Sequence, residues 1–151
     1  MKAFTILSLA TSLVAAARPG ISTKKIENIN IADFSLQKTV ENGVTKLTHV
    51  SFKLSGDEHK NLLCAAENPE LLPPGSMNKT YDCVNSESNY RFTLFPGESS
   101  NDVKLHIYHQ LGEAFGFQGE GDILTNCHGL DSPSHLMCGQ VNQVTIGITF
   151  Q

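Results

Sequence analysis

Six histidines and four cysteines carry most of the metal-binding chemistry this 151-residue chain has to offer. Cys127, His128, His135 and Cys138 are ligand types that zinc accepts, gathered around one Gly/Pro/Ser loop. In oxidising surroundings the two thiols bond to each other instead, leaving two loop histidines, and no metal is expected. His106 and His109 stand three apart in the strand-like run Val103–Gln110, so they face opposite sides of a sheet and cannot share an ion.

Nucleophilic catalysis finds no support, because there is no Gly-x-Ser-x-Gly elbow and no cysteine is left over as a thiolate. The 15 acidic residues read as a scattered, solvated set, whereas a glycosidase needs two carboxylates across a cleft of about 5–10 Å. Gly112, Gly116, Gly119 and Gly121 lack the Lys-Ser/Thr sequel of a phosphate loop and read as turn or barrel-corner glycines. Neither catalytic residues nor a cofactor are expected. Glu113, Glu120 and Asp122, set around a Gly119–Gly121 turn, would form an acidic rim for a basic partner; the plainer reading is a solvated hairpin tip. Asn78-Lys79-Thr80 is the one N-glycosylation sequon.

These residues need elements to position them. Residues 1–17 read as a secretory signal: a basic start at Lys2, an apolar run from Ala3 to Val14, then Ala15-Ala16-Ala17 before Arg18. Cleavage there leaves 134 residues, 18–151, enough for one domain, and removes Lys2 alone of the charged residues. Ten basic residues then face fifteen acidic ones, a net charge of −5. No basic cluster exceeds Lys24-Lys25, so neither nucleic acid nor a membrane is an expected partner. That pair reads as a solvated one, with a dibasic processing site as the alternative.

From Ile26 onward the pattern is strand after strand. Ile29, Ile31 and Phe34 mark a first strand ending near Gln37, and Asn42-Gly43 signals a hairpin into Val44–Leu54. Asn61–Ala66 and Met77–Val84 read as short strands around a Pro73-Pro74-Gly75 loop. Tyr90, Phe92 and Leu94 alternate with polar neighbours, as do Val103, Leu105 and Ile107, and finally Val144, Ile146, Ile148 and Phe150. No helical stripe competes. The fold class is all-β, a single sandwich or barrel. Four cysteines in an exported chain imply two disulfides with three possible connectivities. Sequential pairing, Cys64 with Cys83 and Cys127 with Cys138, closes the shortest loops.

The order of features resembles the fungal secreted family typified by the major allergen of Alternaria, which includes plant-defence elicitors. The resemblance rests on Asp33-Phe34, Asn61-Leu62-Leu63-Cys64, Tyr81-Asp82-Cys83, Tyr90-Arg91-Phe92-Thr93-Leu94, Thr125-Asn126-Cys127, Met137-Cys138-Gly139-Gln140 and the final strand. It implies an antiparallel β-barrel with sequentially paired disulfides, secretion, no known enzymatic activity, and a role in allergenicity, elicitation or binding of host defence proteins. The Cys64–Cys83 loop is longer than the family's, and the N-terminal cysteine that links the Alternaria dimer is absent, so a monomer or non-covalent dimer is implied. The expected function is a non-enzymatic secreted effector, elicitor or allergen-like protein that binds host extracellular components. The alternatives are a carrier of a small apolar ligand, or a small secreted hydrolase or inhibitor.

Overall fold

The computed structural model describes residues 25–76, 79–84 and 88–151. The signal segment 1–17, Lys24 and Asn78 lie outside the described residues. Ten strands follow one another: β1 (Ile26–Glu41), β2 (Val44–Ser55), β3 (Leu62–Glu67), β4 (Tyr81–Asp82), β5 (Tyr90–Pro96), β6 (Val103–Gln110), β7 (Gly116–Ile123), β8 (Thr125–Gly129), β9 (His135–Gln140) and β10 (Val144–Phe150). All named pairings are antiparallel. The order β3-β2-β1-β10-β7-β6-β5-β4 curls round until Cys83 bridges Cys64 and the Val84 amide donates to Leu63 O, closing a barrel. Cys64–Cys83 fastens that seam and Cys127–Cys138 ties β8 to β9.

β1 runs to Glu41, past the end expected near Gln37, because it serves three partners. One edge faces β2 from Asn30 to Glu41, while the other takes β10 along Ile26–Ile31 and β9 along Ser35–Thr39. The changeover falls at a bulge where Asp33 adopts φ 53°, a conformation that short polar side chains tolerate. The Gln140 side chain splices the gap: its Oε1 accepts from the Phe34 amide at 2.7 Å and its Nε2 donates to Ile31 O at 3.2 Å. The β1–β2 hairpin turns on Asn42 (φ 51°) and Gly43 (φ 77°), the paired positive dihedrals that a two-residue turn of this hand requires.

Inward rows fill the barrel with side chains. Ile29 and Ile31, Phe52 and Leu54, Phe92 and Leu94, Leu105 and Ile107, and Ile146 and Ile148 are all essentially sealed from solvent. Gly119 and Gly121 lie inside β7, not in a turn as the sequence suggested. They occupy its inward positions opposite Ile107 and Leu105, and Ile148 and Ile146 of β10 fill the space their missing side chains leave. A Cβ on Gly119 would stand 2.6 Å from Gly147 O, and one on Gly121 would stand 2.8 Å from Ile146 Cγ1. The glycines let β10 cross close over β7.

Candidate functional sites

Three inward rows each end on a polar residue at the same end of the barrel. Glu27 extends Ile29–Ile31, Tyr90 extends Phe92–Leu94, and His109 extends Ile107. All three are buried, with Glu27 and His109 each only 2% exposed. The scattered, solvated set of carboxylates expected from the sequence therefore has an exception. Glu27 Oε1 accepts from the Tyr90 hydroxyl at 2.5 Å and from the Asp57 amide at 3.0 Å, and Oε2 meets His109 Nδ1 at 2.6 Å. The Tyr90 and His109 rings stack at 4.1 Å. Gly56 makes the approach possible, since a Cβ there would stand 2.5 Å from Glu27 Oε1 and 2.6 Å from the Tyr90 hydroxyl.

Burial by itself would raise the Glu27 carboxyl, but the hydrogen bonds from Tyr90, His109 and the Asp57 amide outweigh it and hold Glu27 below its ordinary value. Burial, reinforced by the Glu27 acceptor, pushes the Tyr90 phenol up. An ionised Glu27 only accepts, so His109 Nδ1 carries the hydrogen. His109 Nε2 lies 3.2 Å from Glu58 Oε2 yet is out of line for a hydrogen bond. A carboxylate-oriented imidazole is a general-base arrangement in type, but both partners are shut inside the barrel. What the cluster visibly does is hold the β2–β3 turn, through Asp57 and Glu58, onto the barrel end. At the opposite end Lys38, also buried, donates to Ser100 O and to Asn101 Oδ1 of the β5–β6 turn.

The outer face of β5, β6 and β7 carries the second constellation. Cross-strand registers line up Arg91, Tyr108 and Gln118, then Thr93, His106 and Glu120, then Phe95, Lys104 and Asp122. His106 thus faces outward and His109 inward, on opposite sides of the sheet. Tyr108 and His106 stack at 4.5 Å with ring planes 11° apart. Burial pushes the Tyr108 phenol up and lowers the His106 imidazole, the latter against an opposing pull from Glu120 and Gln118. Leu72 and Lys79 are tied to this part of the sheet: the Leu72 amide donates to Leu94 O, and the Thr93 hydroxyl donates to Lys79 O.

Two depressions adjoin the stacked pair. One, of about 390 Å³, opens beside Arg91, Tyr108, Gln118, Glu113 and Phe115. The other, of about 240 Å³, lies between Pro74, Phe95, Lys104, His106 and Glu120.

Of the three carboxylates expected on an acidic turn, only Glu113 is on one, between β6 and β7. Glu120 and Asp122 project from β7, and Glu120 lies 3.4 Å from Lys104 Nζ and 3.8 Å from His106 Nδ1. His128 and His135 stand on β8 and β9, and among the described residues no group of three or more metal-ligand types converges.

Fold and disulfides define a class: small antiparallel β-barrels whose seam and β8–β9 hairpin are each closed by a cystine. The chain matches the family described as Alternaria alternata allergen 1 over residues 31–140, and it belongs to that family. It is 40% identical to "Effector protein PevD1" of Verticillium dahliae over 144 residues, which cover 92% of this chain and 85% of that protein. Two crystal structures of the Alternaria alternata allergen Alt a 1 share the fold. They superpose with TM-scores of 0.60 and 0.61 at 14% and 15% identity, covering 82% and 89% of this chain and 94% and 96% of theirs.

Proposed function

We propose that the chain is a secreted, non-enzymatic fungal effector that acts by binding host extracellular defence proteins. The observation that carries this reading is the 40% identity, along 92% of the chain, to a protein named as an effector. The barrel supports it. Its interior is taken up by Phe34, Phe52, Phe92 and the aliphatic rows, while a carrier of an apolar ligand needs an apolar-lined mouth. Its buried carboxylate, Glu27, is spent on a turn. Recognition on such a scaffold falls to the connecting segments. Glu113 on the β6–β7 turn and Asp122 on β7, both exposed and outside every ion pair among the described residues, are the carboxylates that would meet a basic partner.

The test is retention of host extracellular proteins by the immobilised mature chain, followed by association kinetics with the purified captured protein from low to high salt. Charge-assisted capture requires Glu113→Lys/Asp122→Lys to slow association at low salt and to flatten the salt dependence. If no host protein is retained, the binding reading fails. If one is retained with unchanged kinetics in the variant, the partner is real and the two carboxylates are not its contact.

A further inference from the structure

The buried Glu27–Tyr90–His109 cluster leaves one of its side-chain polar atoms, His109 Nε2, without a hydrogen bond. That atom is not isolated, for Glu58 Oε2 of the β2–β3 turn lies 3.2 Å from it. Nδ1 of the same ring lies 2.6 Å from Glu27 Oε2. The imidazole is therefore gripped between two carboxylates brought from two different elements. With Nδ1 carrying a hydrogen for Glu27, a neutral ring would turn its Nε2 lone pair toward the Glu58 oxygen, two acceptors with no donor between them. The ring is sealed from solvent, so bulk water cannot relieve that contact. Glu58 has an alternative: its side chain is 48% exposed, and solvent is open to it. It lies against the ring nonetheless.

The surrounding charges point the same way. Facing His109 are Glu27 from β1, the Tyr90 phenol from β5 and Glu58 from the turn, while its ladder neighbour on β7, Phe117, carries no charge. Hydrogen bonds keep Glu27 ionised, and burial keeps Tyr90 neutral. Elsewhere in the turn, Asp57 offers its amide to Glu27, His59 stands edge-on to Tyr90 at 6.0 Å, and Lys60 Nζ donates to Gly56 O at 3.3 Å. Among the described residues two carboxylates touch the His109 ring and no cation does. Such surroundings favour a positive ring.

We infer that His109 is an imidazolium in the folded protein, with a hydrogen on both nitrogens, and that its Nε2 proton is a latch fastening Glu58 and the β2–β3 turn onto the barrel end. The turn's other attachment, from the Asp57 amide to Glu27 Oε1 at 3.0 Å, runs through the same buried pair. The latch is complete while the imidazolium persists and is lost as rising pH removes the Nε2 proton. A mildly acidic medium thus holds the turn shut and an alkaline one frees it. No host protein is needed for this behaviour.

The experiment follows the His109 ring nitrogens of the isotope-labelled mature chain by NMR from about pH 5 to about pH 10, a range that spans the ordinary histidine titration. Amide exchange of residues 56–61, corrected for its intrinsic pH dependence, is read over the same range. At neutral pH both ring nitrogens should report as protonated. Exchange in the turn should accelerate in step with loss of the Nε2 proton. Glu58→Gln keeps the shape and removes the charge, so its ring should give up that proton about half a pH unit earlier. Its turn should exchange about three- to fivefold faster at neutral pH, the size expected of an ion pair half in water. Glu67→Gln, which removes the carboxylate beside His49, should leave both readings as in the wild type. The wild-type titration needs no variant to fold. A ring protonated on Nδ1 alone at neutral pH, a proton found on the Glu58 carboxyl instead, an unchanged titration in Glu58→Gln, or turn exchange indifferent to the state of His109 overturns the latch.

Discussion

Glu27 and His109 stand 82 residues apart in the chain and meet at 2.6 Å inside the barrel. Their contact, completed by the Tyr90 hydroxyl, fixes the end of the molecule where β1, β5 and β6 converge. Glu27→Ala should leave the phenol and the imidazole Nδ1 buried without acceptors and cost about 3–5 kcal/mol, the range for breaking a buried pair. Urea unfolding measures it. Glu27→Gln, which keeps an acceptor but loses the charge, should cost less.

The same carboxylate sets an acid limit. Its pKa is lowered on folding from an ordinary 4.5, so its contribution is complete above that value and is lost as pH falls through and below it. The difference in melting temperature between wild type and Glu27→Gln should hold steady at neutral pH and shrink below about pH 4.5. Tyr90 acts at the other extreme. Its pKa is raised from 10.0, so the unfolded chain loses the proton first and stability should decline as pH rises past 10.

Gly119→Ala should be costly and Gly139→Ala near neutral. A Cβ at 119 meets the Gly147 carbonyl at 2.6 Å and the Ile148 Cα at 3.1 Å, both backbone atoms that cannot step aside, whereas at 139 nothing lies within 4 Å. An overpacking penalty of about 1–3 kcal/mol is expected at 119 alone, read from the shift in denaturation midpoint.

Ile146 and Thr145 test the register of β10. Ile146 is buried and Thr145 exposed, its hydroxyl donating to Asn30 Oδ1 at 2.7 Å. Ile146→Asp should abolish recovery of folded protein, because it buries an unpaired charge. Thr145→Asp should express normally with a shift of less than about 1 kcal/mol.

The two cystines should reduce in order. Cys64 and Cys83 are sealed in the core, whereas Cys127 is only partly buried against a fully buried Cys138. A mild thiol reductant should therefore label Cys127 and Cys138 first, with Cys64 and Cys83 following only on unfolding, as peptide mass spectrometry would report. Removing either bridge should cost about 3 kcal/mol on the loop-entropy account.

Much of this barrel was legible because one face of each strand is apolar. The alternations at Tyr90–Leu94, Val103–Ile107 and Val144–Ile148 are the inward rows of β5, β6 and β10, with Phe150 exposed at the end of the last, and Asn42-Gly43 is the turn it signalled. The polar cluster used the same code: Glu27, Tyr90 and His109 each sit in the inward register one step beyond an apolar row, a signal that could have been read as burial. Gly119 and Gly121 misled because a glycine is silent about which side of a strand it occupies. Only the Ile146 and Ile148 side chains, brought in from β10, reveal that those positions face the core. The switch of β1 from β10 to β9 at Asp33 leaves no periodic trace, since it depends on a positive φ and on Gln140, 106 residues away from the Phe34 amide it holds.

The placement of β10 has a consequence for how the molecule comes into being. The first strand made cannot complete its edge until the last one appears, for Ile26–Ile31 find their partners in Val144–Thr149. A nascent chain that has lost only its final segment still exposes one rim of β1 and the glycine-lined groove of β7, both open to strand addition from a neighbour. Such a topology folds slowly, because its long-range pairings close large loops before they are rewarded. Removal of Val144–Phe150 should therefore be read out as aggregation and not as a smaller folded core.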